Sequence, residues 1–378
     1  MKIQRILLLF VVISIIHCTC TCLNHMHVAS GLCLHDQRSF LLQFKNNLTL
    51  DPQYSTKLNS WNESIGCCDW SGVTCDHHAH VIALDLSSDF IISGALDNSS
   101  SLFSLQHLQS LNLADNSFNS SIPSGFNKLE SLTDLNLAYA GFVGQVPTEI
   151  FQLTRLVTLD LSASNERLDT LDLSQSNDLK LDNSNLGKLV QNLTNIRKLY
   201  LDEVSISGGG HEWYNSLLLL PHLQELSMSG CGLMGTFPPE IFQITTLSLI
   251  DISLNEDLHG SFPDIPLNGS FHTIEVSSTS FSGGLPLSIG NMVYLSSLDL
   301  SHCNFSGTIP TTLSQLRELN HVDLSHNNFI GAIPSLSKAK KLAYVDLSAN
   351  GLSGPISSSA QFEGMQSLVS IDLSNYLH

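Results

Sequence analysis

Basic side chains are scarce in this chain. Lys and Arg number 16 against 34 Asp and Glu, for a formal net charge of −18 at pH 7. That balance argues against nucleic acid or an anionic membrane surface as partner, since both call for a basic counter-surface. The plainer reading of the acidity is that it keeps a large secreted protein soluble. Long apolar runs are also lacking. The stretch from Ile6 to Ile16 covers 11 positions (16 − 6 + 1), where a bilayer span needs roughly 20. Leu217 to Leu220 is four leucines only. No nucleophile–base pair, phosphate loop or kinase signature occurs, so neither enzymatic chemistry nor a cofactor is expected. Asp76-His77-His78-Ala79-His80 gathers metal-ligating side chains, but without a coherent ligand spacing on a rigid element, and no metal site is expected there.

The short apolar run follows Lys2 and Arg5, which gives residues 1–30 the form of a secretory signal. Cleavage falls after Cys22 or after Ser30, where Val28-Ala29-Ser30 supplies small residues. The secretory route puts the cysteines in an oxidising compartment. Of the nine, Cys18, Cys20 and Cys22 leave with the signal if the cut is at or after Cys22. Cys33, Cys67, Cys68 and Cys75 cluster within residues 31–76 and read as two bridges. Disulfide geometry disfavours joining the neighbours Cys67 and Cys68. The expected pairs are Cys33–Cys67 and Cys68–Cys75.

What the chain has in abundance is repetition. Phe142-Val-Gly144-Gln-Val146-Pro147, Phe305-Ser-Gly307-Thr-Ile309-Pro310 and Phe329-Ile-Gly331-Ala-Ile333-Pro334 are copies of one phrase. Each follows a Leu-x-x-Leu-x-Leu segment such as Leu295 to Leu300. Anchors at Val81, Leu108, Leu132, Leu156, Ile196, Leu223, Leu247, Phe271, Leu295, Leu319, Leu342 and Leu368 are separated by 27, 24, 24, 40, 27, 24, 24, 24, 24, 23 and 26 residues. A recurring period of this size is the mark of a leucine-rich solenoid of the long plant extracellular type. The expected fold is therefore an α/β repeat: about twelve turns over 80–378 with a curved, parallel inner sheet. An irregular insertion near 164–194 absorbs the gap of 40, and the next gap holds Gly208-Gly209-Gly210 and Trp213.

In Leu-x-Leu the leucines point inward and the residue between them faces solvent on the concave side. Three positions after the last strand leucine, Asn116, Asn255, Asn327 and Asn350 can satisfy backbone groups of adjacent turns. Cys231 and Cys303 stand in the same slot and read as buried free thiols rather than ligands or nucleophiles. Ahead of the repeats, Asp36 to Leu50 carries apolar residues at helical spacing. With Trp61 and Trp70 it makes a disulfide-stapled helical cap, which a solenoid needs to cover its first turn.

The segments Cys33-Leu-His-Asp-Gln-Arg-Ser-Phe-Leu-Leu-Gln-Phe-Lys45 and Cys67-Cys68-Asp-Trp70-Ser-Gly-Val-Thr-Cys75 resemble the cap of plant leucine-rich-repeat receptor-like proteins. With His80 to Leu84, Leu102 to Leu105, Leu111 to Asn116 and Ala140 to Gln145, the resemblance extends to the Verticillium wilt resistance receptors. It covers nearly everything after Val28. The resemblance implies a glycosylated plasma-membrane receptor ectodomain of plant defence that senses a pathogen-derived protein or peptide. It also implies signalling through partner receptor kinases, because such receptors have no kinase of their own. Family members continue through more repeats, a membrane helix and a short tail, whereas this sequence ends at His378. An apoplastic location is the alternative, and an uncovered apolar face around Leu347, Ile371 and Leu373 is expected. Rival functions are a secreted inhibitor of a microbial wall-degrading enzyme and a non-signalling decoy or fragment.

Asp85, Asp160, Asp251, Glu275, Asp299, Asp323, Asp346 and Asp372 occupy the solvent-facing position in eight of twelve repeats, an acidic stripe that suits a basic ligand or is the repeat's default wording. Tyr139, Tyr200, Asp202, Glu203, His302, His326 and Tyr344 replace small residues on or beside the inner face. Aromatic and charged side chains in such places are enriched at binding hot spots, so these seven are the candidate contacts. Trp213 and Tyr214 either form a platform or pack over the insertion. Sequons at Asn47, Asn62, Asn98, Asn119, Asn192, Asn268 and Asn304 mark glycan acceptors.

Overall fold

The computed structural model describes residues 33–94, 96–163, 178–206, 217–267, 269–354 and 365–375. The signal segment, Gly208 to Gly210, Trp213, Tyr214, Asn268 and the first part of the insertion lie outside them.

Most repeats begin with a three-residue strand whose central leucine, isoleucine or valine is buried while its neighbours are half exposed, as in Ser297–Asp299 and Asp134–Asn136. Twelve repeat strands, from the longer Val81–Asp85 to the exposed Ser370–Asp372, lie in chain order in one sheet. Every neighbouring pair is parallel. The register never slips. Leu226, Ile250, Ile274, Leu298 and Val322 stand in one row, so the alternation fixes a continuous core on one face. A thirteenth strand, Val73–Cys75, comes from the cap and pairs antiparallel with the first repeat. It takes the edge position itself, so the first repeat strand is paired on both sides.

The return side is built differently from a simple turn. The Phe-x-Gly phrase and its Leu-x-Gly counterparts form their own short strands, and six of them make a second parallel sheet among the described residues. Phe281, Phe305 and Phe329 point inward from it, fully buried. Gly307 and Gly331 hold φ of 78° and 80°, a region where a Cβ is costly. The proline that follows is the N-cap of a 3-10 turn in Thr148–Gln152 and Thr311–Gln315, where a missing N–H costs nothing.

In the cap, Cys33 is bonded to Cys67 and Cys68 to Cys75. The helix runs over His35–Asn46 only. Leu48–Leu50 is a strand paired antiparallel with Ile91–Gly94, so helical spacing overran by one element. The reason is local: the helix closes at Asn47, and Leu-Thr-Leu alternates with period two. Part of the insertion is regular as well. Leu179–Lys180 is a strand, and Asn183–Asn192 is a helix that buries Leu186, Leu189 and Val190. At the other end of the stack Leu347 is covered, whereas Ile371 is 41% exposed. No helix among the described residues is long and apolar enough to cross a membrane.

Candidate functional site

The parallel register turns a sequence habit into a structure. Asp251, Glu275, Asp299, Asp323, Asp346 and Asp372 are successive partners on six adjacent strands. Strands in such a sheet are ~4.8 Å apart, so the carboxylates stand within strong mutual influence. Burial, then the charges of Asp251 and Asp299, pushes the Glu275 carboxyl up to about 7. Burial also raises Asp251 and Asp323, each with help from neighbouring carboxylates. Asp160 is raised in the same sense, while Tyr200 and Ser227 take the ladder position on the two strands between it and Asp251.

Rings flank the ladder on both sides. His302 and His326 stack with centroids 4.1 Å apart and planes 12° from parallel. His321 and Tyr344, two register positions before Asp323 and Asp346 and so on the same face, stack at 4.5 Å and 9°. Tyr344 also donates its hydroxyl to Asp346 at 3.3 Å. His321 is an inner-face ring that sequence reading missed. Its position before the strand valine matches that of Tyr344, and aligning that column would have found it.

The seven candidate contacts separate into two groups. Tyr139, Glu203, His302 and His326 share one column, all with left-handed backbones at φ between 51° and 59°. Each donates its N–H to a serine carbonyl of the next repeat, as His302 does to Ser325 and Tyr139 to Ser162. Their backbones are thereby fixed along one rim of the sheet. Tyr200, Asp202 and Tyr344 lie on or near the strands. The Tyr200 hydroxyl donates to Glu225, which also pairs with Lys198 at 2.8 Å. Asp202 accepts from the Ser227 hydroxyl at 2.6 Å and the Ser229 N–H at 2.9 Å, so it ties two repeats together. The structure brings His302, His326 and Tyr344 to one region and sets Tyr200, Asp202 and Glu203 in another.

The asparagine slot is scaffold. Asn327 donates Nδ2–H to the carbonyls of Leu300, Leu324 and Ser325 and accepts the Phe305 N–H at 2.9 Å. Cys231 and Cys303 are buried free thiols that donate to Leu201 and Val276 carbonyls. Burial pushes both thiols up, so neither is a nucleophile at neutral pH. Among the described residues the one close group of metal-type ligand atoms is Cys33, Cys67 and Cys68, all in disulfides. The sequon asparagines at 47, 62, 98, 119, 192 and 304 are exposed.

Comparison with known proteins agrees with this geometry. Residues 34–76 match the leucine rich repeat N-terminal domain family, and 107–129, 222–244 and 294–316 match the Leucine Rich Repeat family. Receptor-like protein 6 of Arabidopsis thaliana is 37% identical over 74% of this chain and 29% of its own length. Receptor-like protein Cf-9 of Solanum pimpinellifolium is 34% identical over 70% of the chain and 31% of its own. The chain thus spans under a third of these relatives. Among solved structures, the Arabidopsis receptor kinase HAESA, in complex with the peptide hormone IDA and the co-receptor SERK1, aligns with a TM-score of 0.65. It is 25% identical, over 91% of this chain and 65% of that one. The ectodomain of the Arabidopsis receptor kinase GASSHO1/SCHENGEN3, in complex with CASPARIAN STRIP INTEGRITY FACTOR 2, aligns at 0.66 and 26% over 91% of this chain and 42% of that one.

Proposed function

The chain is a leucine-rich-repeat protein of the plant receptor-like kind, and from that premise we propose that it is a non-enzymatic, extracellular recognition module of plant defence. In this reading a pathogen-derived protein or peptide lies along the inner sheet. The observation that carries it is the in-register run of carboxylates from Asp251 to Asp372, bordered by the His302–His326 and His321–Tyr344 stacks. Like charges held side by side are unfavourable to the fold alone, and a basic ligand relieves them. Stacked rings beside them offer flat contact area at little cost in side-chain entropy. The HAESA complex supports a peptide as the kind of ligand such a surface takes. The module acts on the outer side of the plasma membrane or in the apoplast and passes its signal through partner receptor kinases.

The test uses the full chain and a triple variant, Asp299→Asn/Asp323→Asn/Asp346→Asn. Synthetic peptides that differ only in Lys and Arg content are measured against both, at low and high salt. Salt-sensitive binding of the basic peptides that the variant loses supports the proposal; binding indifferent to charge counts against it. For the defence role, leaves expressing either form are infiltrated with fungal culture filtrate. A response that the variant fails to give is expected, and equal responses would refute the assignment.

A further inference from the structure

A second recognition feature sits far from the ladder, where the cap meets the first repeats. A cavity of about 370 Å³ opens there, lined by Asp51, Phe90, Ile92, Asp115 and Tyr139 together with Asn116 and Ser117. Its origin is the antiparallel pairing of Leu48–Leu50 with Ile91–Gly94, which carries Asp51 across to Phe90 through the Asp51 N–H and the Phe90 carbonyl. Tyr139 reaches it from the third repeat, in the left-handed column that Ser88 and Asp115 begin.

Phe90 is the informative residue. Its ring is 50% exposed, and its backbone holds φ of 53°. A bulky residue in that region is a strained exception, and exposure of a phenyl ring adds an unfavourable term. Its successor Ile91 fills the buried position that Phe118 and Phe142 take in the next repeats, so Phe90 is not needed for the core. Tyr54 braces it from behind, with ring centroids 5.1 Å apart. Ile92 and Tyr139, at 47% and 46% exposure, complete an apolar wall. Strain and exposure that the fold does not require point to a use outside it.

The carboxylates say what that use is. Asp51 accepts the Gln53 N–H, and Asp115 accepts the Ser88 hydroxyl at 3.3 Å. Among the described residues no Lys, Arg or His ion-pairs with either. An apolar wall with two uncompensated negative charges complements a cation on an aliphatic stem: the stem lies on Phe90 and Ile92, and the head meets the ring faces and carboxylates together. We infer that this cavity receives a single arginine side chain of a protein or peptide partner. The site is independent of the inner-sheet ladder and does not rely on it.

The experiment titrates the full chain with N-acetyl-arginine methylamide, followed by saturation-transfer NMR. Its neutral isostere, the citrulline analogue, and the leucine analogue serve as controls. A ligand of this size binds such a site with Kd on the order of millimolar. The expected result is transfer to the arginine methylenes, at least fivefold weaker for citrulline and leucine, and reduced by added salt. Asp51→Asn/Asp115→Asn should abolish it. Phe90→Gly should abolish it too, while leaving the thermal midpoint unchanged or higher, because glycine fits the left-handed backbone. Equal signals from arginine and citrulline would overturn the inference, as would an undiminished signal in both variants. Triple substitution of Asp299, Asp323 and Asp346 must leave the arginine signal intact; its loss there would place the ligand on the ladder and reject this cavity.

Discussion

The carboxylate of Asp89 accepts the backbone N–H of Leu58 at 2.9 Å, across 31 residues. The same side chain takes the N–H groups of Thr56 and Lys57 at 2.8 and 2.7 Å and the Ser55 hydroxyl at 3.0 Å. Asp89 stands in the slot that asparagine fills in later repeats. There it serves the start of Lys57–Ser60 in the cap instead of the turn of a preceding repeat. It is wholly buried. Charged hydrogen bonds contribute about 1.5–3 kcal/mol each, and donors left unpaired cost about 1–3 kcal/mol. Asp89→Ala should therefore lower unfolding free energy by at least about 3 kcal/mol. Thermal melts and limited proteolysis of the cap check this, and a cap that stays protected would contradict it.

How much of this was legible in the sequence depends on what kind of spacing each feature has. Leu295, Leu298 and Leu300 announce an inward row because a parallel sheet with fixed register repeats its side-chain directions every turn. The asparagine slot was readable for the same reason. Asp89 was not, because its partners lie in the cap and no period connects Ser55 to Asp89. The Phe90 cavity escaped as well, since Asp51, Phe90 and Tyr139 meet only through the pairing of Leu48–Leu50 with Ile91–Gly94, and helical spacing had assigned Leu48 to Leu50 to the end of a helix. The ladder was legible as composition, but its coupling came from register: Glu275 is flanked by Asp251 and Asp299, and among the described residues it has no serine N–H bond of the kind that holds Asp251 and Asp323 down.

That coupling predicts a pH dependence. Glu275 has a folded pKa raised from 4.5 to about 7, so between those values the folded chain holds a proton that the unfolded chain has released. Its contribution to stability is full below about pH 4.5 and is lost as pH rises through about 7. Asp160, Asp251 and Asp323 act in the same direction. Carboxyls held below their usual range, such as Asp97 under the Ser99 hydrogen bonds, act oppositely, but only below about pH 4. The melting temperature should thus fall from pH 5 to pH 7.5. Glu275→Gln should flatten the slope and stabilise the chain at pH 7.5 by about 1 kcal/mol, after discounting for solvent screening. A melt that is flat over this window would rule the coupling out.

The slot residues differ in what they can lose. Asn327→Ala removes three donated bonds and leaves the Phe305 N–H without its acceptor. A loss of about 2–4 kcal/mol is expected from one unsatisfied buried donor plus three unsatisfied carbonyls, partly relaxed. Chemical denaturation should show a lower midpoint with an unchanged m-value.

Cys303 holds the same slot with a weaker set of bonds, to the Val276 and Ser301 carbonyls and with the Thr279 hydroxyl. The Phe281 N–H, which an asparagine in this slot would serve, reaches only the Thr279 hydroxyl at 3.4 Å. Cys303→Asn should give that N–H a better acceptor, so the change should be neutral or stabilising by up to about 1 kcal/mol. Cys303→Leu has no donor for the carbonyls and should destabilise by about 1–3 kcal/mol. In the unmodified chain, Cys231 and Cys303 should resist a thiol reagent until the fold opens, since both thiols are buried and held protonated. Labelling followed by mass spectrometry at increasing denaturant reads this directly: modification should track the unfolding transition. Rapid labelling of either cysteine in the native state would mean that the stack opens locally, and that the slot is not the rigid ladder described above.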